Sequence, residues 1–364
     1  MTQYYPFSKV ISDNTGGNPK IKKEDYFDYG KFPIVDQGQQ FIGGYTNDEN
    51  LLCEASLPCI IFGDHTRVFK YIDFPFAIGA DGVKVLECSD KLDTKYVYYF
   101  LRQVRLGGKE GYNRNFKYLK EISIPLPPLA TQQSIASKLD QIQSLIDLKK
   151  DAISKTQELT KAVFLEMFGD PMRNEKGWEV RKLMDVCDVR DGTHDSPKYQ
   201  TSGYPLITSK NIKNGAIDFS DLNYISEEDY DAINRRSNVD DGDILMPMIG
   251  TIGNPVIVKK NRDFAIKNVA LMKFSKPGLV NSYLLGLLNS CYLAHKVSEN
   301  HKGGTQKFMS LGDIRGLEIP LPPLPLQQQF ADRVEKIQQM LDEQKLALSK
   351  LEELFQATMQ ECFG

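Results

Sequence analysis

Residues 124–142, IPLPPLATQQSIASKLDQI, return at 319–337 as IPLPPLPLQQQFADRVEKI. This repeat limits the fold more than any other feature, because two copies of one segment call for two copies of one structural setting. Aligned without a gap, 124–169 and 319–364 are identical at 22 of 46 positions. Ile124-Pro125-Leu126-Pro127-Pro128-Leu129 matches Ile319-Pro320-Leu321-Pro322-Pro323-Leu324, and Gln132 and Gln133 fall on Gln327 and Gln328. Phe168-Gly169 falls on Phe363-Gly364. The chain reads as two copies of one module. Upstream, FKYLKEISIP (116–125) and LGDIRGLEIP (311–320) agree only in pattern, so the helical parts are alike while the parts before them have diverged.

Each repeat carries a heptad seam. In the second copy the apolar positions are Phe330, Val334, Ile337, Leu341, Leu348, Leu351 and Phe355, interrupted at Gln344. In the first they are Ile135, Leu139, Ile142, Ile146 and Ile153, interrupted at the aligned Lys149. Spacings of three and four over this length predict long coiled-coil helices. A helix of about 38 residues would be roughly 57 Å long. Two such helices in one chain most simply pack on each other, antiparallel if a pseudo-two-fold axis relates the modules. Lys149 and Gln344 would then meet near the middle as a polar pair that fixes register. Two solvent-facing side chains are the plainer reading of the same gap.

The parts before the helices read as α+β. Strand-like runs in the second are YPLIT (204–208), DILMPM (243–248), PVIVKK (255–260) and VALMKF (269–274), followed by one helix-like stretch, 280–297. In the first they are FPIVDQ (32–37), PCIIFG (58–63) and GVKVLE (82–87), with a helix-like stretch at 93–106. Turn residues separate them. The expected division is a globular domain at 1–123, a helix at 124–170, a second globular domain at 171–318 and a second helix at 319–364. FGDPMRNEKGW (168–178) reads as the linker between modules.

Composition excludes several classes. The chain is 41% hydrophobic and 26% charged, as expected of a protein of two or three domains with their own cores. Its longest apolar runs, such as LPCIIF, are far too short to span a bilayer, and MTQYYPFSKV lacks the features of a signal peptide. Six scattered cysteines form no CxxC pair, and four histidines complete no zinc pattern, which suits reduced cysteines in the cytoplasm and no metal. A net charge of −3 argues against a uniformly basic nucleic-acid binder but not a local one. Basic residues do cluster, at 102–120 (Arg102, Arg105, Lys109, Arg114, Lys117, Lys120) and at 259–276 (Lys259, Lys260, Arg262, Lys267, Lys273, Lys276). Taken alone, each such cluster is more often a solvated face than a phosphate track. No G-x-x-x-x-G-K-[ST] loop, G-x-S-x-G elbow or H-E-x-x-H motif occurs, and GTIGNP (250–255) is better read as a turn than as a phosphate loop.

Two divergent globular domains, each followed by a near-identical helix opening with PLPPL and a glutamine pair, resemble the DNA-specificity subunit of type I restriction–modification enzymes. FGDP-x5-GW at the junction (168–178), GTIG (250–253) and GGTQ (303–306) fit the same family. The first module departs from it in lacking a clear counterpart of GWEVRKLMDVCDV (177–189). The resemblance implies two target-recognition domains, each reading one half of a split, asymmetric DNA site. It implies that the paired helices set the gap between half-sites and dock two modification (methyltransferase) subunits. It also implies a non-catalytic chain without cofactors of its own. S-adenosylmethionine, ATP and Mg are expected only in the modification subunits and the restriction (motor–nuclease) subunits.

Base-edge readout favours Arg, Lys, Asn and Gln on loops, and phosphate positioning favours Lys, Arg, Ser, Thr and glycine-rich turns. In the first module the candidate loops are Gln37-Gly38-Gln39-Gln40, Gly63-Asp64-His65-Thr66-Arg67 and Tyr112-Asn113-Arg114-Asn115. In the second they are Ser209-Lys210-Asn211, Gly250-Thr251-Ile252-Gly253, Lys267-Asn268, and Lys302 through Lys307 with Gly304, Thr305 and Gln306. Two other readings compete. P-L-P-P is also a P-x-x-P match, so the chain could be a coiled-coil scaffold carrying proline-rich ligands for another protein. A fused methyltransferase or nuclease is the second, although no N-P-P-[YF] or D-P-P-[YF] motif is present.

Overall fold

The computed structural model describes residues 3–107, 114–213, 215–249, 253–300 and 309–364. The chain divides into two units, Met1–Lys150 with Leu346–Gly364, and Asp151–Lys345. Each unit holds one globular domain, the first half of the helix that follows it, and the second half of the other repeat's helix.

In the first unit β1 (Gln3–Pro6) leads through a single turn, α1 (Phe7–Val10), into β2 (Ile11–Asp13). Next come β3 (Lys20–Ile21), β4 (Phe32–Val35), β5 (Gly44–Thr46), β6 (Cys59–Gly63), β7 (Phe69–Ile72), β8 (Ala77–Gly79) and β9 (Val83–Cys88). Helix α2 (Thr94–Gln103), the turn α3 (Phe116–Leu119), β10 (Ser123–Leu126) and α4 (Leu129–Phe168) complete it. An antiparallel sheet runs β2-β9-β6-β7, and a mixed sheet runs β3-β8-β4-β5 with β4 parallel to β8. Strand β6 is apolar throughout because both its faces are buried. Ile60 and Phe62 face a core shared with Val97 and Leu101 of α2, whereas Cys59 and Ile61 face a core with Val35 and Ile78 of the mixed sheet.

In the second unit β11 (Glu179–Lys182), the turn α5 (Leu183–Val186) and β12 (Asp188–Asp191) repeat the opening of the first. After them come β13 (Tyr204–Ile207), the hairpin β14 (Ile212–Lys213) and β15 (Ala216–Ile217), β16 (Asn223–Ile225) and α6 (Glu227–Ser237). The rest is β17 (Ile244–Pro247), β18 (Val256–Ile257), β19 (Ala265–Ile266), β20 (Val269–Lys273), α7 (Asn281–Leu288), α8 (Cys291–Asn300), α9 (Leu311–Arg315), β21 (Glu318–Leu321) and α10 (Leu324–Phe363). Its main sheet runs β12-β20-β17-β18, the same order of equivalents as in the first unit. Its second sheet again contains a parallel pair, β13 with β19.

Two expectations need correction, and a third gains detail. The first module does have a counterpart of residues 177–189. Phe7, Val10 and Ile11 are buried where Leu183, Val186 and Cys187 are, and β1 pairs with β10 as β11 pairs with β21. The likeness lies in the apolar pattern, not in residue identity. The stretch 280–297 is two helices, because Ser290 Oγ donates to the Leu287 carbonyl and accepts the Tyr292 N–H, competing with the helical bonds. The linker at 168–178 is folded onto the end of α4. Gly169 takes the left-handed conformation (φ +77°) that ends the helix, and Lys176 Nζ donates to the Glu166 and Met167 carbonyls at 2.8 and 2.9 Å.

The heptad seams pack antiparallel within each unit. In the first, Leu139, Ile142 and Ile146 of α4 meet Phe355 and Met359 of α10, with Ile135, Leu348 and Leu351 at the margin. Lys150 pairs with Glu352 and Lys138 with Glu361 alongside. In the second unit, Phe330, Ile337 and Leu341 of α10 pack with Val163 and Phe164 of α4, and Val334 and Ile153 flank them. Gln344 is indeed inside the seam, but its Nε2 donates to Thr156 Oγ1 at 3.2 Å, not to the expected Lys149. The heptad pattern identifies the contacting face of each helix and leaves the sliding register open, so a midpoint estimate missed the partner by seven residues along α4.

Candidate nucleic-acid interface

Three loops far apart in the first module's sequence are tied together. The Gln37 carbonyl accepts from Thr66 Oγ1 at 2.6 Å, and Gln37 Oε1 accepts the His65 N–H at 3.3 Å. Arg67, held at φ +59°, donates from Nε to Asn115 Oδ1 at 3.0 Å and from its guanidinium ends to the Leu106 and Gly107 carbonyls. Asn115 Nδ2 donates to the Asp64 carbonyl at 2.7 Å, and Asp64 Oδ1 accepts the Phe116 N–H at the start of α3. Gln39, Gln40, Thr66 and Arg114 keep their side chains exposed on this cluster. A cleft of about 620 Å³ opens beside it, lined by Gln39, Arg67, Arg102 and Arg105 among others. Asn115 must be corrected as a base-reading candidate. It is buried, and its amide is committed to bracing Arg67 and Asp64.

In the second module Lys267 and Asn268 follow β19, whose parallel partner β13 delivers Ser209 and Lys210 to the same end of the sheet. Lys210 is exposed, and Lys267 Nζ donates to Ser196 Oγ at 2.6 Å. Asn211 requires the same correction as Asn115. It is buried, accepts from Thr208 N–H and Oγ1, and donates to the Asp218 and Asp221 carbonyls. Three more of the six basic residues in the run at 259–276 are engaged within the fold. Lys273 is bonded to Asp240 and Asp243, Lys260 to Asp263, and Lys276 to the Met184 carbonyl. Asn113, Thr251, Lys302, Gly304, Thr305, Gln306 and Lys307 lie outside the described residues.

The residue pattern alone missed the loop after β12. His194 places its two ring nitrogens 2.8 Å from Asp191 Oδ2 and 2.8 Å from Asn268 Oδ1. Arg236 at the end of α6 reaches Asp191 Oδ1 at 2.8 Å. With acceptors on both sides the ring is suited to carry both protons, and those two hydrogen bonds, Asn268's first, raise its pKa above the ordinary 6.5. His194, Arg236 and Lys267 thus bring three partly exposed basic groups to one loop cluster, beside a 550 Å³ cleft that the first two line. The signal that could have found it is GTHDSP (192–197), a turn-rich run directly after a strand.

Beneath both loop clusters sits the same joint. Gln132 is fully buried. Its Oε1 accepts the Asp93 N–H at the start of α2, and its Nε2 donates to the Lys91 and Pro127 carbonyls. Gln327, also fully buried, accepts the Val280 N–H at the start of α7 and donates to the Gly278 and Pro322 carbonyls. Tyr96 and Tyr283 each donate to the carbonyl of the first proline of the segment, Pro125 and Pro320. The proline segments are therefore strand ends held from within, with Ile124 and Ile319 fully buried, and they do not offer a free P-x-x-P ligand. Phe363 of α10 packs on Tyr96, and Phe168 of α4 packs on Tyr283, at 5.3 and 4.8 Å between ring centroids.

A family model described as the type I restriction modification DNA specificity domain matches residues 11–158 and again 175–353. The chain is 30% identical over 250 residues to the specificity subunit of the type I restriction enzyme EcoR124I/EcoR124II of Escherichia coli, covering 62% of this chain and 59% of that one. It is 24% identical over 291 residues to the MjaIX specificity subunit of Methanocaldococcus jannaschii, covering 70% and 65%. The chain thus spans less than two thirds of the length of these two curated relatives. In fold it is similar to the S subunit of a type I restriction–modification system from M. genitalium, with a TM-score of 0.62 and 17% identity over 100% of this chain and 96% of that one.

Proposed function

This chain belongs to the family of type I restriction–modification DNA specificity proteins, and on that premise we propose that it is a non-catalytic subunit reading a bipartite DNA site, one half with each globular domain. The observation that carries the reading is the duplicated joint. Gln132 with Tyr96, and Gln327 with Tyr283, mount two domains in the same way, while the loops mounted above them share almost no sequence. A constant mount under variable loops suits a protein whose target changes while its assembly stays fixed. The exposed side chains at the loop ends, Gln39, Gln40 and Arg114 in one unit and Lys210 in the other, are of the types that pair with base edges and phosphates.

The partners in this reading are double-stranded DNA, two copies of a modification (methyltransferase) subunit, and restriction (motor–nuclease) subunits. Support for two copies comes from exposed apolar residues that recur at equivalent positions, Leu129 and Leu324, Leu145 and Met340, Leu159 and Leu354. Apolar exposure kept in both repeats suits two equal docking faces. S-adenosylmethionine would be held by the modification subunits, and ATP and Mg by the restriction subunits. The cytoplasm, where the chromosome is, is the proposed location; no helix among the described residues is long and apolar enough to cross a membrane. Incubation with labelled S-adenosylmethionine and mixed DNA tests the division of labour. The chain alone should transfer no methyl group, and the chain with its modification subunits should methylate adenine. Transfer by the lone chain would contradict it.

A further inference from the structure

Among the described residues Lys70 is the one lysine or arginine in the buried interior, its side chain 3% exposed. It stands on β7 beside Ile72, so its methylene stem runs through the core between the two sheets. Its ammonium group ends on the candidate loop that follows β4. Nζ donates to the Asp36 carbonyl at 2.7 Å and to the Gln40 carbonyl at 2.6 Å, and lies 3.6 Å from Asp36 Oδ1. One cation therefore grips both ends of Asp36–Gln40. Asp36 Oδ1 closes the loop from inside by accepting the Gly38 N–H at 2.8 Å. The packing around Asp36 is tight. A Cβ at Gly43 would lie 2.6 Å from Asp36 Oδ2, and one at Gly79 would lie 2.6 Å from Asp36 Cβ. With the loop backbone held this way, the side chains of Gln39 and Gln40, at its C-terminal end, are exposed.

The fold does not need a cation here. Lys70 pairs with Ile61 across β6 and β7. In the second unit the residue opposite Leu245, the counterpart of Ile61, is Val256, which is buried. Taking an ammonium out of water is costly unless its partners repay it, and among the described residues the hydrogen-bond and ion-pair partners of the Lys70 ammonium all belong to the loop. A glutamine amide recognises adenine through two parallel hydrogen bonds, a geometry that tolerates little displacement of the backbone carrying it.

We propose that Lys70 is the positioning residue for base readout by the first domain: it fixes the Asp36–Gln40 backbone so that the amides of Gln39 and Gln40 meet base edges in one half of the target. The proposal rests on the bipartite reading given above.

The test uses the chain in complex with its modification subunits. The complex methylates a random-sequence DNA library, and the methylated sites are sequenced for the natural chain and for Lys70→Met, which keeps the apolar stem. The expected result is one-sided. At one or more positions in one half of the motif, preference for the natural base falls roughly tenfold or more, the scale of one lost bidentate contact. The other half stays as it was. A folded Lys70→Met complex with both halves unchanged overturns the proposal, as does equal loss in both halves, which would mark a general structural role. Should Lys70→Met not fold, Asp36→Asn weakens the same grip from the loop side without touching β7, and the same one-sided loss is expected; an unchanged motif again overturns the proposal. A natural chain that gives no two-part motif overturns the bipartite reading itself, a result distinct from a two-part motif indifferent to Lys70.

Discussion

Gln132 and Gln327 each satisfy one backbone N–H and two carbonyls from a fully buried position. An apolar replacement leaves those groups orphaned, at about 1–3 kcal/mol for each buried group without a partner. Gln327→Leu should therefore lower the thermal midpoint of the second unit clearly. Gln328→Leu, at the exposed neighbour whose side chain donates to Asp332, should change little. Equal midpoints for the two variants would contradict the role given to the joint. The sequence marked this glutamine pair as repeated without separating the structural member from the surface one, because identity in two copies does not report burial. His194 carries a pH prediction. Its pKa is raised in the fold, so the stabilisation from Asn268 and Asp191 is fully present below about 6.5, its ordinary value, and is lost as the pH rises through the raised value. The effect on stability should be small because the side chain is more than half exposed and screened. The titration itself should be visible by NMR with a midpoint above 6.5, falling when Asn268 is replaced by Ala; a midpoint at or below 6.5 in the natural chain would exclude the paired imidazolium.

At the scale of elements, the long helices were the most legible part of the chain. A seam of Leu, Ile, Val and Phe at three- and four-residue spacing fixes which side of each helix is buried, and the packing in both units follows it. Register is set by details that periodicity does not carry, such as the 3.2 Å bond from Gln344 to Thr156 and the aromatic cluster of Phe164, Phe168, Tyr283 and Phe330. Gln344 is only half satisfied, since its Oε1 is buried and finds no hydrogen-bond partner among the described residues. Gln344→Leu should then raise stability by about 1 kcal/mol, read as a higher denaturation midpoint. It should also loosen register, read as broadened NMR signals from the helix residues around Thr156. A lower midpoint would mean that the amide contributes more than its missing partner costs. The strands followed their apolar runs closely, as β6, β9, β17 and β20 show. The single helix expected at 280–297 failed because Ser290 caps a turn where apolar periodicity reads straight through.

For the molecule as a whole, the duplication visible in IPLPPL and the glutamine pair foretold two like units, each with the same strand order in its main sheet and the same joint. What duplication leaves unread is the surface that varies between copies. Arg67 reads in the sequence as a DNA-contacting loop candidate and Lys70 is not singled out at all, yet the fold bonds one to Asn115 and sets the other to grip Asp36 and Gln40. His194 and Arg236 are 42 positions apart in the sequence, and only Asp191 between them reveals the pair. The claim that each unit reads one half of a split target is tested most directly by the methylation motif of the complex formed with its modification subunits, mapped on random DNA. Two short defined sequences separated by a gap of fixed length and free composition are the predicted result. A single uninterrupted motif, or methylation without sequence preference, would contradict it.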